Sequence, residues 1–244
     1  LREWIGLRVV PHLASAGYSI INRDFELTIG VDRNKIEDDS YGLFAPRFSE
    51  MGRAAAEHPD KLVFELLAAA FTSNCYDGQY FFDSDHPITD EGGIMSSVSN
   101  MQSGSSEPWY LLDTSRELRP FVYQEREAGR LVAMDRPEDV PVFMNRELIY
   151  GTHVRGNAGY GLWQLAFGSK ATLDATNYKA ARAATMSMVG DNGRKLGVKP
   201  TLLVCGPDNE SAVRKLLNSE LASDGETNEW KGTAEVLVSK KIRT

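Results

Sequence analysis

The sequence predicts an α+β protein, and three features of its hydrophobic pattern support this fold class. Apolar residues recur at steps of three and four between Phe44 and Ala70, which places them on one face of a long helix. Between Phe25 and Val31, apolar and polar residues alternate as they do in a strand. The segment from Asp174 to Leu217 has the order helix, strand, helix, which is typical of an α+β or α/β unit.

The composition is that of a chain with a hydrophobic core. It has 244 residues, of which 42% are hydrophobic and 25% are charged, enough for one or two domains. The net charge is −7 and the basic residues are dispersed, which argues against sequence-specific binding of nucleic acid but allows a surface that lies near DNA. No apolar run reaches the roughly 18 residues that a membrane-spanning helix needs. Because the chain begins at Leu1, we interpret it as a processed or partly observed product.

The first part of the chain predicts a β-hairpin. We expect one strand over Tyr18–Ile21, a turn through residues 22–24 and a second strand over Phe25–Val31. A two-stranded hairpin is only marginally stable in water by itself. It therefore either lies on the core of its own chain or is covered by another subunit.

The next stretch predicts one long helix over residues 46–71, beginning at a proline, which suits a first helical turn. About 26 residues at 1.5 Å each give about 39 Å, more than twice the mean length of helices in globular proteins. Because Pro59 lacks a backbone N–H, we expect a kink or a break at His58 or Pro59, with Glu57 and Lys61 paired across it. Two ordinary helices of a globular core are the alternative.

The middle of the chain predicts a flexible loop and then several strands. Glycine and serine supply nine of the fifteen residues from Gly92 to Ser106, which favours a loop or linker. Further on we expect short strands at 109–113 and 120–124, a charged turn at 126–130, an extended segment at 142–144 and glycine-rich strands with bulges over 150–167.

The last third predicts more regular elements. Asp174 is expected to cap a helix that stops at Gly190. A short apolar strand over Thr201–Cys205 leads into a second helix that ends near Leu217. A final strand is expected over Ala234–Val238.

One segment carries residues that could bind a metal ion. Asp83, Ser84, Asp85 and His86 offer oxygen and nitrogen ligands for a divalent cation, as in a metal-dependent transferase or hydrolase. Alternating carboxylates in a loop are more often turn formers that bond their own backbone, so we keep this enzyme only as the alternative function.

The remaining motif search finds no active site. The two cysteines, Cys75 and Cys205, are far apart in the sequence and fit free thiols in a reducing compartment. A disulfide between them is the alternative. The glycines at 156, 159 and 161 have the wrong order for a dinucleotide-binding loop, and neither a phosphate-binding loop nor a hydrolase motif occurs.

Five phrases of the sequence resemble the major head subunit of Mu-like phages. They are, in chain order, NRDFELTIGVDRNKIEDDSYGLFAPRFSEMGRAAAEHPDKLVFELL, CYDGQYFFDSDHP, WYLLDTSRELRPFVYQERE, RGNAGYGLWQLAFGSK and GVKPTLLVCGP. The resemblance extends over nearly the whole chain. Five phrases in one order carry more weight than any single motif above.

The resemblance implies a fold and a domain organisation. That family is understood to build icosahedral heads with the fold named after phage Hong Kong 97. Residues 1–36 would then hold a remnant of an N-terminal arm and an extended hairpin loop. Residues 37–108 would form a peripheral domain with the spine helix, and residues 109–244 an axial domain that shares strands with it.

The resemblance also implies a function without catalysis or a cofactor. The chain would be a major capsid protein that self-assembles, as pentamers and hexamers, into the shell around the genome of a Mu-like tailed phage or prophage. Scaffold, portal and decoration proteins would be its partners, packaged double-stranded DNA would lie near it non-specifically, and no membrane would be involved. Its location would be the virion, after assembly in the cytoplasm of the bacterial host.

The predicted hairpin supplies the candidate residues for contacts between subunits. Its apolar side chains would provide buried area, and its charged side chains would set the register. We therefore expect Phe25→Asp to block assembly and to leave the fold intact. The candidates are Tyr18, Ile20, Arg23, Asp24, Phe25, Leu27, Ile29 and Arg33.

Overall fold

The computed structural model describes residues 19–39, 42–89, 94–222 and 225–242. Mixed helices and strands make it an α+β structure. In chain order the elements are β1 (Arg23–Asp32), α1 (Arg33–Glu37), α2 (Phe44–Ala69), β2 (His86–Thr89), β3 (Met95–Val98), β4 (Met101–Gln102), β5 (Trp109–Leu112), β6 (Phe121–Met134), α3 (Val140–Asn145), β7 (Glu147–Tyr160), β8 (Ala166–Ser169), α4 (Ala175–Met186), β9 (Leu202–Cys205), α5 (Glu210–Leu217) and β10 (Glu235–Val238).

The long helix α2 forms as the sequence predicts. It runs for 26 residues from Phe44 to Ala69 and continues through Pro59, so the expected break is absent. At its start, the carboxylate of Asp39 accepts hydrogen bonds from the backbone N–H groups of Leu43 and Phe44, each at 3.1 Å. These bonds satisfy amides that have no partner inside the helix.

The expected ion pair across Pro59 is wrong. Glu57 lies 3.8 Å from Lys241 near the end of the chain, and Lys61 lies 3.9 Å from Glu65, one turn further along the helix. The position of Lys241 depends on the tertiary fold, which local spacing along the helix does not encode.

A three-stranded antiparallel sheet lies against α2. Its strand order is β1, β7, β6, so β7 is central and pairs with β1 from Glu147 to Gly156 and with β6 from Ile149 to Tyr160. Two contacts fix how the helix and β7 align. The rings of Phe48 and Tyr150 are 4.7 Å apart, and the hydroxyl of Tyr160 donates to the carbonyl of Leu66 at 3.0 Å.

These contacts are separated by 18 residues on α2, about 27 Å at 1.5 Å per residue, and by 10 residues on β7, about 33 Å at 3.3 Å per residue. The two contacts occur in the same order along α2 and β7 and at similar spacings, so the helix and the strand run side by side in the same direction.

The sheet overturns the predicted hairpin. The strand that contains Phe25 has β7 as its partner, and residues 19–22 form no strand. Tyr18 lies outside the described residues. The prediction failed because strands pair with the nearest extended segment only as a tendency. Here β1 pairs with β7, which follows more than a hundred residues later.

Several predictions for the middle of the chain are also wrong. The predicted charged turn at 126–130 is part of β6, which passes through it with two register irregularities. The segment 142–144 belongs to helix α3, since a short apolar run does not separate a helix from a strand. Residues 92–106 were expected to form a flexible loop, but residues 95–98 and 101–102 within them form β3 and β4.

A five-stranded sheet with the order β10, β9, β5, β8, β4 builds the main core. All four residues of β5 are buried, so both of its faces are covered. Trp109 and Leu203 of this sheet pack with Tyr178 of α4 and Val213 of α5, and all four are fully buried. Asp174 accepts a hydrogen bond from the N–H of Asn177 and caps α4 as predicted, but this helix ends at Met186, before Gly190.

Candidate intersubunit surface

The structure describes seven of the eight candidate contact residues and places them at three locations. Tyr18 is outside the described residues, Ile20 precedes β1, and Arg33 begins α1. The other five, which are Arg23, Asp24, Phe25, Leu27 and Ile29, lie on β1. Their contact with a neighbouring subunit stays a prediction.

The apolar candidates of β1 already have contacts inside the chain. Phe25, Leu27 and Ile29 are half-buried on one face of the strand. The ring of Phe25 packs edge-on against His58 of α2, with the centroids 4.1 Å apart. The expectation that Phe25→Asp leaves the fold intact therefore needs correction, because this side chain helps to attach β1 to α2.

The charged candidates also meet groups of their own chain. Asp24 lies 3.6 Å from Arg155 and 3.4 Å from His153, both on β7. Arg33 lies 2.7 Å from Glu37, one helical turn later. These pairs are exposed, where an ion pair contributes at most about 1 kcal/mol to stability, so they remain available to orient a partner.

A second surface, which the sequence analysis did not single out, is more apolar and more exposed. We call it the tip surface, because it lies where β6 and β7 are joined through α3. Six of the fifteen exposed large hydrophobic side chains of the described residues fall here. They are Leu131, Val132, Met134, Val140, Phe143 and Met144.

Local structure explains why the tip surface is open. Leu131 and Val132 are neighbours on β6, so they point to opposite faces of the sheet, and both are exposed. Helix α3 buries Val142 and turns Val140 and Phe143 outward. The signal in the sequence was a group of apolar residues inside a charged segment with no periodicity that would bury them.

Both outer strands of this sheet leave a backbone edge. In the part of the chain that the structure describes, β1 and β6 each pair with β7 alone. An exposed strand edge offers unpaired N–H and C=O groups to another chain. The sheet thus combines two open edges with an apolar end, which suits association with further copies.

The predicted metal ligands do not form one site. Asp83 accepts hydrogen bonds from the backbone N–H groups of Tyr80 and Ser84, as a turn former does. The exposed Asp85 has a raised pKa, caused first by its hydrogen bond with Asp83. His86 is fully buried, and its Nδ1 lies 2.7 Å from Asp77. Among the described residues, Asp83 and Asp85 therefore form no metal site with His86, and the alternative hypothesis is not supported.

Asp77 lies instead between two buried groups. Its Oδ1 accepts a hydrogen bond from the thiol of Cys75 at 2.9 Å, and its Oδ2 faces His86. Burial raises the pKa of Cys75 to about 12, with the nearby Asp77 adding to the effect. Burial alone would raise the pKa of Asp77, but hydrogen bonds from Cys75, His86 and Gln79 outweigh it and hold that pKa below its usual value.

Two other features bear on possible functions. Both cysteines, Cys75 and Cys205, are free thiols and buried. Among the helices that the structure describes, none is long and apolar enough to cross a membrane.

Solved structures with the same fold define the class of protein. A chain of the procapsid of bacteriophage JBD30 matches with a TM-score of 0.82 and 41% identity, over 99% of this chain and 83% of that chain. A chain of the JBD30 capsid decorated with minor capsid protein trimers matches with a TM-score of 0.81 and 28% identity, over 100% and 82%. The fold is thus that of phage capsid subunits.

Sequence comparison narrows this class to one family. Residues 1–242 match the family of the Mu-like prophage major head subunit gpT. The chain is 44% identical to the major capsid protein of Escherichia phage Mu over 98% of its own length and 81% of that protein. It is 43% identical to the Mu-like prophage FluMu major head subunit of Haemophilus influenzae, over 92% and 76%.

The chain belongs to the family of Mu-like prophage major head subunits. It is a major capsid protein, a structural component of the virion, and its family is not one of enzymes. The alternative function, a metal-dependent transferase or hydrolase, is therefore not supported.

Proposed function

We propose that the chain forms the icosahedral shell of a tailed phage or prophage head from pentamers and hexamers, with a fold of the Hong Kong 97 type. In this proposal α2 is the spine helix of the peripheral domain, and the sheet of β1, β7 and β6 lies along it. The five-stranded sheet with α4 and α5 forms the axial domain. The boundaries remain close to residues 36 and 108, but β6 and β7 come from the third segment and serve the peripheral domain.

The observation that carries this proposal is the tip surface. Association of large assemblies depends mainly on a few apolar anchors surrounded by polar residues. Phe143 is 77% exposed and lies on a helix held at the far end of two 14-residue strands. Such a projecting apolar group gains its burial when a second copy covers it. We therefore assign the extended contact element to β6, α3 and β7.

The candidates of β1 keep a second role in this proposal. Exposed Arg23, Asp24 and Arg33 lie beside an open strand edge and would set the register of a neighbour. Tyr18 and Ile20 would extend this contact toward the start of the chain. The half-buried Phe25, Leu27 and Ile29 would contribute only the part of their surface that α2 leaves exposed.

The wider set of partners follows from the same role. A shell of this kind grows with a scaffold protein and a portal, and decoration proteins bind its outside. The solved capsid of JBD30 carries minor capsid protein trimers, which supports decoration here. The net charge of −7 would limit adhesion to packaged double-stranded DNA, which lies close to the shell without specific contacts. We place assembly in the host cytoplasm and the product in the virion.

The test is the mass of the purified protein at increasing concentration, by light scattering and negative-stain microscopy. We expect shells, rings of five or six subunits, or sheets for the wild type. Phe143→Ser should shift the protein to monomers, while its circular dichroism and its unfolding midpoint stay unchanged, because the side chain has little contact within the chain.

Leu118→Ser is the matched control, since this side chain is 66% exposed and lies outside the tip surface. It should assemble like the wild type. A wild type that stays monomeric at every concentration, also with a scaffold supplied, would contradict the proposed shell. Assembly of Phe143→Ser at the concentration of the wild type would contradict the role of the tip surface alone.

A further inference from the structure

The capsid role uses none of the buried polar groups that follow the long helix. Among the described residues, Cys75, Asp77 and His86 are the one set of three cysteine, histidine or acidic side chains whose ligand atoms converge, all within 4.8 Å of one another. We propose that these three side chains bind one Zn²⁺ ion.

The donor types indicate the metal. A thiolate, an imidazole nitrogen and a carboxylate oxygen are the ligands that zinc takes in proteins, at about 2.0 to 2.3 Å. Hard cations such as Mg²⁺ and Ca²⁺ prefer oxygen alone. Cys75 and His86 are both buried, which further disfavours a hydrated cation at this place.

The distances leave room for the ion after a small adjustment. Zinc–ligand bonds of about 2.0 to 2.3 Å in a tetrahedron separate neighbouring ligand atoms by about 3.3 to 3.6 Å. Cys75 Sγ and His86 Nδ1 now lie 2.9 and 2.7 Å from the two oxygens of Asp77. Each of these two pairs must open by less than about 1 Å, and the ligand atoms of all three residues already lie within 4.8 Å of one another.

The orientation of the His86 ring decides which nitrogen could bind the ion. The ring is fully buried, and its Nδ1 faces Asp77, whereas Nε2, on the opposite edge of the ring, has no hydrogen-bond partner among the described residues. We therefore assign Nδ1 as the ligand, with the single proton of the neutral ring on Nε2. With one proton on a neutral ring, the imidazole always keeps one lone pair for a cation.

The backbone holds the three ligands in place before any ion binds. Cys75 and Asp77 share a tight turn that is closed by hydrogen bonds from Cys75 N to Gln79 O at 2.8 Å and from Gly78 N to Cys75 O at 3.2 Å. The His86 ring stacks on Trp163, with centroids 3.9 Å apart and planes 9° from parallel. Rigid ligands of this kind reduce the entropy that binding would cost.

Binding removes the thiol proton of Cys75, so one proton leaves for each ion bound, and the thiolate completes the ligand set with neutral His86 and ionised Asp77. With three protein ligands, the fourth coordination position of the ion is left for a water molecule. The ion would link the turn after α2 to the start of β2. This role does not depend on how subunits assemble.

The test uses the whole purified chain, freed of metal by chelation, and Co²⁺ as the spectroscopic probe. We expect a near-ultraviolet thiolate-to-cobalt absorption band that saturates at one Co²⁺ per chain and disappears when Zn²⁺ is added. Cys75→Ser should lose the band. Cys205→Ser is the matched control, since it removes the other buried thiol, and it should keep the band.

Asp77→Asn provides a second variant that preserves the shape of the side chain. Because loss of even an outer-shell partner weakens metal binding by about 10- to 100-fold, we expect at least a tenfold loss of Zn²⁺ affinity. Zn²⁺ should also raise the melting temperature of the wild type and of Cys205→Ser. The proposal is overturned if the folded wild type shows no band, if Cys75→Ser retains it, or if Asp77→Asn binds as tightly as the wild type.

Discussion

The rings of Phe25 on β1 and His58 on α2 lie 4.1 Å apart, centroid to centroid, at an interplanar angle of 63°. This contact attaches the edge strand of the three-stranded sheet to the middle of the long helix. Edge-to-face aromatic pairs contribute about 0.5–1.5 kcal/mol beyond the area that they bury. The chain therefore depends on Phe25 before any neighbouring subunit is considered.

Phe25→Ala should lower the free energy of unfolding by about 2 kcal/mol, roughly half of the 3–5 kcal/mol found for fully buried phenylalanines, because the side chain is half-buried. Urea denaturation of the unassembled chain measures this change. Ile21→Ala, at a side chain that is 78% exposed, is the control and should stay within about 0.5 kcal/mol of the wild type. An unchanged midpoint for Phe25→Ala would show that β1 is held by other contacts.

His58 should make the fold sensitive to mild acid. Burial lowers its pKa below the ordinary 6.5, and Lys61 and Arg23 add to this effect against the opposing charge of Glu65. The folded state thus disfavours the charged ring, so the unfolded chain takes up the proton first. The free energy of unfolding is highest well above pH 6.5 and falls as the pH drops through 6.5. It levels off below the lowered pKa of His58 in the folded state.

The measurement compares urea midpoints at pH 7.5 and pH 5.5. His58→Gln should lose less stability between these values than the wild type does. Equal losses in both proteins would exclude His58 as the cause.

Asn100 should be among the most sensitive polar positions. Its fully buried side chain donates to the carbonyl of Phe81 at 2.8 Å and accepts from the N–H of Asp83 at 2.9 Å. Asn100→Ala leaves both backbone groups without these partners, and each buried unsatisfied group costs about 1–3 kcal/mol. We expect a loss of about 3 kcal/mol in the free energy of unfolding, measured by urea denaturation. Asn34→Ala, on the exposed helix α1, should change it by less than about 0.5 kcal/mol.

Cys205 should contribute to unfolding in alkali. Burial raises the pKa of this thiol from about 9 to about 11. The folded state keeps the proton longer than the unfolded chain does, so stability is full below pH 9 and falls as the pH rises through 11. Between pH 8 and pH 10, Cys205→Ala should therefore lose less stability than the wild type. Part of the decline persists in the variant, since burial raises the pKa of Cys75 and of Tyr76 to about 12 as well. An equal decline in both proteins would contradict a contribution of Cys205 to unfolding in alkali.

The sequence alone predicted the elements whose signal is local. The stripe from Phe44 to Ala70 predicted α2 within two residues at each end, because a helix buries side chains at a fixed spacing. Asp174 was recognisable as a cap, since its side chain bonds an amide three residues later. The family was also recognisable from the sequence, because its phrases extend over nearly the whole chain.

The tertiary structure decided what depends on distant partners. β1 pairs with β7, whose residues follow more than a hundred positions later, and no local pattern chooses between that strand and the nearer Tyr18–Ile21. The outer half of β6 is exposed on both faces, so it lacks the alternation by which a strand is recognised. His86 similarly carries no sign in the sequence that it faces Asp77 rather than Asp83. Periodicity records which side of an element is buried, whereas the fold alone determines what buries it.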